Sequence, residues 1–294
     1  MDMSPWDFAV IISKLMIYIG VSGAIGGIFM CCFAAEDKCY RQSVGKYCFA
    51  SIFVGFLGVI SNFFSQVGAF SDNGVTGMYD EFYLSMLWQS NAGEALVYRC
   101  VGFLLASYLV GKILWSTARS KLDLGLYLLS IGCLAISFSL IGHSAELTLF
   151  NQFFISIHVL LIAWWLGSLW PLWRGCSLLP LSVIKQTMEK FGVYASYSVL
   201  LLIACGALVG YQLVGSVTAL FFSVYGQIFL IKLSAVALLI GLAAVHKLQL
   251  VPALRKNSNG AMQLQRSIKY EMYIATAVLT ATTWLTTMVG PSHS

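Results

Sequence analysis

Residues 153–173 read FFISIHVLLIAWWLGSLWPLW, a run with no Asp, Glu, Lys or Arg. About 20 apolar residues cross the hydrocarbon core of a bilayer once as a helix. An open chain in lipid can satisfy its own backbone groups only in that form. The run is therefore a membrane-crossing helix whose apolar character is interrupted by one imidazole, His158. The same pattern extends outward in both directions, over 8–33, 47–69, 95–115, 124–142, 191–214, 226–247 and 268–289. The whole chain agrees: of 294 residues, 59% are hydrophobic and 10% charged, with mean hydropathy +0.82. Soluble domains run near 25% charged. The expected fold is an all-α polytopic helix bundle of eight transmembrane helices, with residues 1–294 forming one membrane domain. The longest connections, 70–94 and 248–267 with Pro252, are too short to fold as domains. The start, Met1-Asp2-Met3-Ser4-Pro5, carries an acid before any base and does not read as a signal peptide.

Basic residues set the orientation. Lys38, Arg41 and Lys46 follow the first stretch; Lys112, Arg119 and Lys121 surround the third connection; Arg174, Lys185 and Lys190 follow the fifth stretch. Lys247, Arg255, Lys256, Arg266 and Lys269 join the last two. That places 14 of the 17 Lys and Arg on one side, and the positive-inside rule makes that side cytoplasmic. Both termini are then expected on the periplasmic side. The outer side collects Met1, Met3, Asp7, Met78, Asp80, Glu94, His143 and Glu146. Oxygen, imidazole and thioether donors together suit capture of a metal cation, Met favouring Cu(I). A plainer reading is that acids avoid the cytoplasmic side and Met is an ordinary membrane residue.

The remaining basic residues, Lys14, Arg99 and Lys232, fall inside predicted spans. An ionisable group at mid-membrane costs roughly 2.5–3.5 kcal/mol on insertion scales, so it calls for a partner or a purpose. At 1.5 Å per residue these three and His158 lie roughly 7–9 Å below the outer boundary. They could snorkel outward or pair with Asp7, Glu94 or Glu146. His143 ends the fourth stretch beside small neighbours, in Ile141-Gly-His-Ser-Ala. About ten residues join the fourth and fifth stretches, so His143 and His158 could face each other. Neutral imidazole binds copper, zinc and haem iron alike. His158, Ile162 and Trp165 are spaced four and three apart and share one helix face. Near the inner boundary, His246 and Glu271 stand on connected stretches, and either His246–Glu271 or Lys247–Glu271 contact is expected.

Other chemistries find no support. The sequence has no P-loop, no G-x-S-x-G and no H-E-x-x-H, and no separate basic domain for nucleic acid. Eight cysteines form no C-x-x-C pair. Cys31, Cys32, Cys39, Cys48 and Cys176 fall near the cytoplasmic side, where thiols stay reduced and could pass on Cu(I) or simply pack. Gly23-x-x-x-Gly27 and Gly206-x-x-x-Gly210 suit close helix packing.

Four motifs in order carry a family resemblance. They are Gly142-His143-Ser-Ala; His158 with Trp165, Gly167 and Leu169; Tyr225-Gly226 with Lys232; and Arg266-Ser267 with Glu271. With these, the chain resembles the copper resistance protein D (CopD) family of bacterial inner-membrane copper transport proteins, and 191–291 is similar to the family's C-terminal domain. Ser168 departs from a frequent Gly, and His246 stands where an Asn is expected, so no family role passes to it.

The resemblance implies a non-enzymatic, multi-pass inner-membrane protein moving copper, Cu(I) or Cu(II), from periplasm to cytoplasm in copper homeostasis and resistance. A periplasmic CopC-type protein is the implied metal donor. The residues themselves, beyond the resemblance, suggest a path in which Met1, Met3 and the acidic outer loops, Glu146 among them, collect the ion and His143 with His158 form the outer site. Trp165 shapes the cavity beneath, and His246 near Glu271 receives the ion with the inner cysteines. The alternative is a haem b electron-transfer protein, with His143 and His158 as axial ligands and Lys14, Arg99 and Lys232 meeting the propionates.

Overall fold

The computed structural model describes residues 4–33, 37–115, 120–142, 148–214, 217–254 and 260–288. Among the described residues the chain is helical, with no strand. Helix α1 spans Pro5–Phe33, α2 Lys38–Ser71, α3 Glu81–Trp88, α4 Asn91–Trp115, α5 Lys121–Ser139 and α6 Leu149–Leu178. Helix α7 spans Leu181–Val214 and α8 Val217–Phe222. Helix α9 starts at Val224–Val245 and continues through a π-helical turn, His246–Leu250, into Val251–Ala253. Helix α10 spans Gly260–Met288.

Helix starts follow local chemistry. At α1, the Asp7 amide donates to the Ser4 hydroxyl (3.2 Å) and the Ser4 amide donates to the Asp7 carboxylate (2.9 Å), with Pro5 in the first turn. Asp37 caps α2 through the Tyr40 amide, 2.7 Å. Asp80 caps α3, so the 70–94 connection holds a 3₁₀ turn, Val75–Tyr79, and a short helix.

Helix α1 is the hub, packed against α2, α6 and α10. Small residues permit this. Gly20 meets Gly55 of α2 backbone to backbone, and Gly26 meets the α6 backbone at Trp164–Ser168. A Cβ on Gly167 would collide with the Ser22 carbonyl, so the α1–α6 crossing has no room for any side chain there. Two breaks in helical bonding are repaired by tyrosines from neighbouring helices. The π turn Gly23–Gly27 in α1 offers the Ile25 carbonyl to the Tyr127 hydroxyl at 2.7 Å. Pro171 inside α6 has no N–H for the Gly167 carbonyl four residues back, and Tyr47 donates to that carbonyl at 3.4 Å.

Phe49, Phe53, Leu104, Tyr108, Leu128, Leu200 and Ile231 are exposed around the bundle. A surface this apolar belongs against lipid. Among the described residues, seven helical segments are long and apolar enough to cross a membrane: α1, α2, α4, α5, α6, and the 181–208 and 226–253 parts of α7 and α9. The chain is a multi-pass membrane protein. Helix α10 is not among the seven despite its 29 residues, because Arg266, Lys269, Glu271 and six threonines lower its hydropathy. Thr276, Thr280 and Thr282 return their hydroxyl protons to carbonyls of their own helix, so their polarity is satisfied locally.

Candidate functional site

Helices α7 and α9 touch each other only lightly, while both are anchored elsewhere, α7 on α6 and α9 on α10. The space between them is a cavity of about 460 Å³ walled by α1, α6, α7, α8, α9 and α10. His158, Ile162 and Trp165 all line it, as their spacing on one face requires. Lys232 enters from α9, Tyr18 and Ser22 from α1, and Thr282 from α10. The rest of the wall is predominantly hydrocarbon.

His158 is set against α7 at Gly206. A Cβ there would lie 3.2 Å from the ring Cε1 and 3.6 Å from Nδ1, so the glycine gives the imidazole its place. The Nδ1 atom is buried without a hydrogen-bond partner. Buried polar atoms in native proteins are nearly always paired, and here the Leu202 backbone is the polar group beside the ring. Sequence spacing gave Gly206 a packing role only. Its contact with His158 depends on how α7 leans on α6, which no local pattern encodes.

Trp165 forms the floor of the cavity and connects it to a second polar group. Its Nε1–H donates to the Glu271 carboxylate at 3.1 Å. The other carboxylate oxygen of Glu271 lies 3.0 Å from His246 Nδ1, and His246 Nε2 lies 2.6 Å from the Ser267 hydroxyl. Glu271 is 2% exposed, so this is a buried carboxylate tied to three helices. Of the two contacts expected for Glu271, His246 makes it; Lys247 instead donates to Ser196 at 2.6 Å. Ser267 belongs to the Arg266-Ser267 motif, but its link to His246 could be seen only once α9 and α10 were in place.

Among the described residues the three intramembrane cations meet neither Asp7 nor Glu94, and Glu146 lies outside those residues. Lys14 donates to the Thr287 hydroxyl (2.8 Å) and the Thr286 carbonyl (3.3 Å) of α10. Arg99 donates from Nε to Ser137 at 3.1 Å and lies 4.9 Å over the Phe138 ring. Phe138 stacks on Tyr18, which reaches the cavity wall. Among the described residues Lys232 has no hydrogen-bond or ion-pair partner. Asp7 is taken up by the α1 cap.

His143, Glu146, Met1 and Met3 lie outside the described residues. Among the described residues, no group of three or more His, Cys, Asp or Glu side chains could hold a metal ion. The thiols expected on the inner side divide between buried Cys31 and Cys48, half-buried Cys176, and exposed Cys32 and Cys39.

Two family models match the sequence. Residues 3–148 match "Copper resistance protein D-like, N-terminal domain", and residues 185–285 match "Copper resistance protein D". The chain belongs to the copper resistance protein D family. The second match contains Lys232, His246, Ser267 and Glu271; the first contains Lys14, Arg99 and His143; His158 and Trp165 lie between the two. No curated protein and no solved structure gives a match.

Proposed function

We propose that the chain carries copper ions across the bacterial inner membrane, from the periplasm toward the cytoplasm. The observation that carries the reading is the continuous succession of His158, cavity, Trp165, Glu271 and His246 in a chain of the copper resistance protein D family. His158 with His143 forms the outer site, and Met1, Met3 and Glu146 collect the ion before it. Imidazole and thioether donors suit Cu(I), whereas imidazole and carboxylate also accept Cu(II). From His158 to Trp165 the rise along α6 is about 10 Å. The ion then meets the Glu271 carboxylate, the buried negative charge at the inner end, with His246 beside it. The inner-side cysteines offer soft ligands for release to the cytoplasm. All eight long helices cross, with both termini periplasmic. The lowered hydropathy of α10 is consistent with crossing, because Glu271 and Thr283 are buried in the bundle and Thr276, Thr280 and Thr282 satisfy their hydroxyls on carbonyls of their own helix. A CopC-type periplasmic protein is the donor.

Copper accumulation in cells carrying His143→Ala or His158→Ala tests the outer site. At equal expression both variants accumulate far less copper than the parent chain; undiminished accumulation would remove these residues from the path.

A second reading, haem b binding, is favoured by one observation. The unpaired His158 and the Lys232 ammonium share one largely apolar cavity, the setting a haem iron and its propionates require. His246 is already committed to Glu271 and Ser267, which leaves no second histidine pair near the inner face among the described residues. A visible spectrum of the purified chain decides: a Soret band that His158→Ala abolishes establishes haem, and a featureless spectrum excludes it.

A further inference from the structure

The cavity is far larger than a metal ion needs. At about 460 Å³ it falls within the range of small-molecule sites, roughly 300–1,000 Å³. Its lining is hydrocarbon apart from His158, Lys232, Trp165, Tyr18, Ser22 and Thr282. Lys232 brings a positive charge to this wall and finds no acid among the described residues. The two other intramembrane cations offer it no acid either, because half-buried Lys14 and buried Arg99 are met by Thr and Ser oxygens and by a ring rather than by carboxylates. A charge held in surroundings of low dielectric constant needs an opposite charge to meet it. The Lys232 ammonium also lies within electrostatic range of the His158 ring.

We propose that the cavity binds an anionic amphiphile drawn from the bilayer, a hydrocarbon body with one acidic head, the head on Lys232 and the body along the apolar wall. Ile162, Phe229, Leu233 and Val278 supply that wall from three helices. The acidic head offsets the positive charge that an arriving copper ion would otherwise meet beside His158. That consequence rests on the copper reading; the binding itself does not. A free fatty acid and an anionic phospholipid share the required chemistry.

The test uses the full chain, purified in neutral detergent, stripped of lipid and titrated with radiolabelled oleate. One saturable oleate per chain is expected, weakened tenfold or more by Lys232→Met or by Lys232→Gln and restored by Lys232→Arg. Phosphatidylglycerol that displaces oleate identifies the occupant as a phospholipid, and failure to displace identifies it as a free acid. Three results would each overturn the proposal. These are oleyl alcohol competing as well as oleate, unchanged affinity in both neutral variants, or a resident haem that oleate does not displace. Copper flux after reconstitution of the same preparations into vesicles separates the two ideas: a parent chain that carries copper yet shows no saturable oleate binding defeats the amphiphile alone.

Discussion

Replacing Glu271 is the perturbation whose cost can be worked out most fully. Its carboxylate accepts from Trp165 at 3.1 Å and from His246 at 3.0 Å while only 2% exposed. In Glu271→Ala both partners lose their acceptor. Stranding the remaining members of a buried charged pair costs about 3–5 kcal/mol in soluble proteins. Hydrogen bonds between membrane helices are weaker, averaging about 0.6 kcal/mol with a maximum near 1.7. The two scales bracket the expectation: about 2–4 kcal/mol for Glu271→Ala, and about half that for Glu271→Gln, which keeps an oxygen for the Trp165 N–H. The assay is reversible unfolding in mixed micelles by detergent titration, with a double-mutant cycle between Glu271→Ala and His246→Ala. A coupling energy of about 1–2 kcal/mol is expected, since the pair shares one buried bond. Destabilisation below about 0.5 kcal/mol in Glu271→Ala, or additive single effects in the cycle, would refute the view that this pair ties α9 to α10.

Three glycine substitutions, one of them a control, test the packing that positions the cavity. Gly167→Ala drives a methyl into the Ser22 carbonyl and should cost at least the roughly 1–3 kcal/mol of overpacking. Gly132→Ala, facing open space on α5, should be neutral or stabilising by up to about 1 kcal/mol in the same unfolding titration. Gly206→Ala places its methyl 3.2 Å from the His158 ring, so the imidazole must shift by a few tenths of an ångström. Copper accumulation should fall in this variant while the unfolding midpoint barely moves.

The helical plan was legible in the sequence because hydrocarbon thickness imposes one length on every span. The stretch at 153–173 appears inside Leu149–Leu178, and the one at 47–69 inside Lys38–Ser71. The ends run longer than apolarity indicates because Asp37 and other capping groups start helices in polar flanks. The His246–Glu271 contact was also legible, since connected stretches place those residues at one depth. Three things were not. The partners of Lys14 were sought among acids on the same outer side, yet they are threonines at the far end of the chain, which only the α1–α10 packing brings near. The π turns leave no local signature, because what stabilises the first is a tyrosine hydroxyl donated from another helix. The cavity depends on α7 and α9 standing apart, a property of helix packing and not of any stretch.

The most direct test of copper passage through the His158 cavity is flux into proteoliposomes containing the purified chain and an internal Cu(I) indicator. The parent chain should load the vesicles with copper well above protein-free controls, and His158→Ala should return the signal to the control level while keeping its unfolding midpoint. Flux equal in the parent and in His158→Ala, or a parent signal no higher than empty vesicles, would contradict the account.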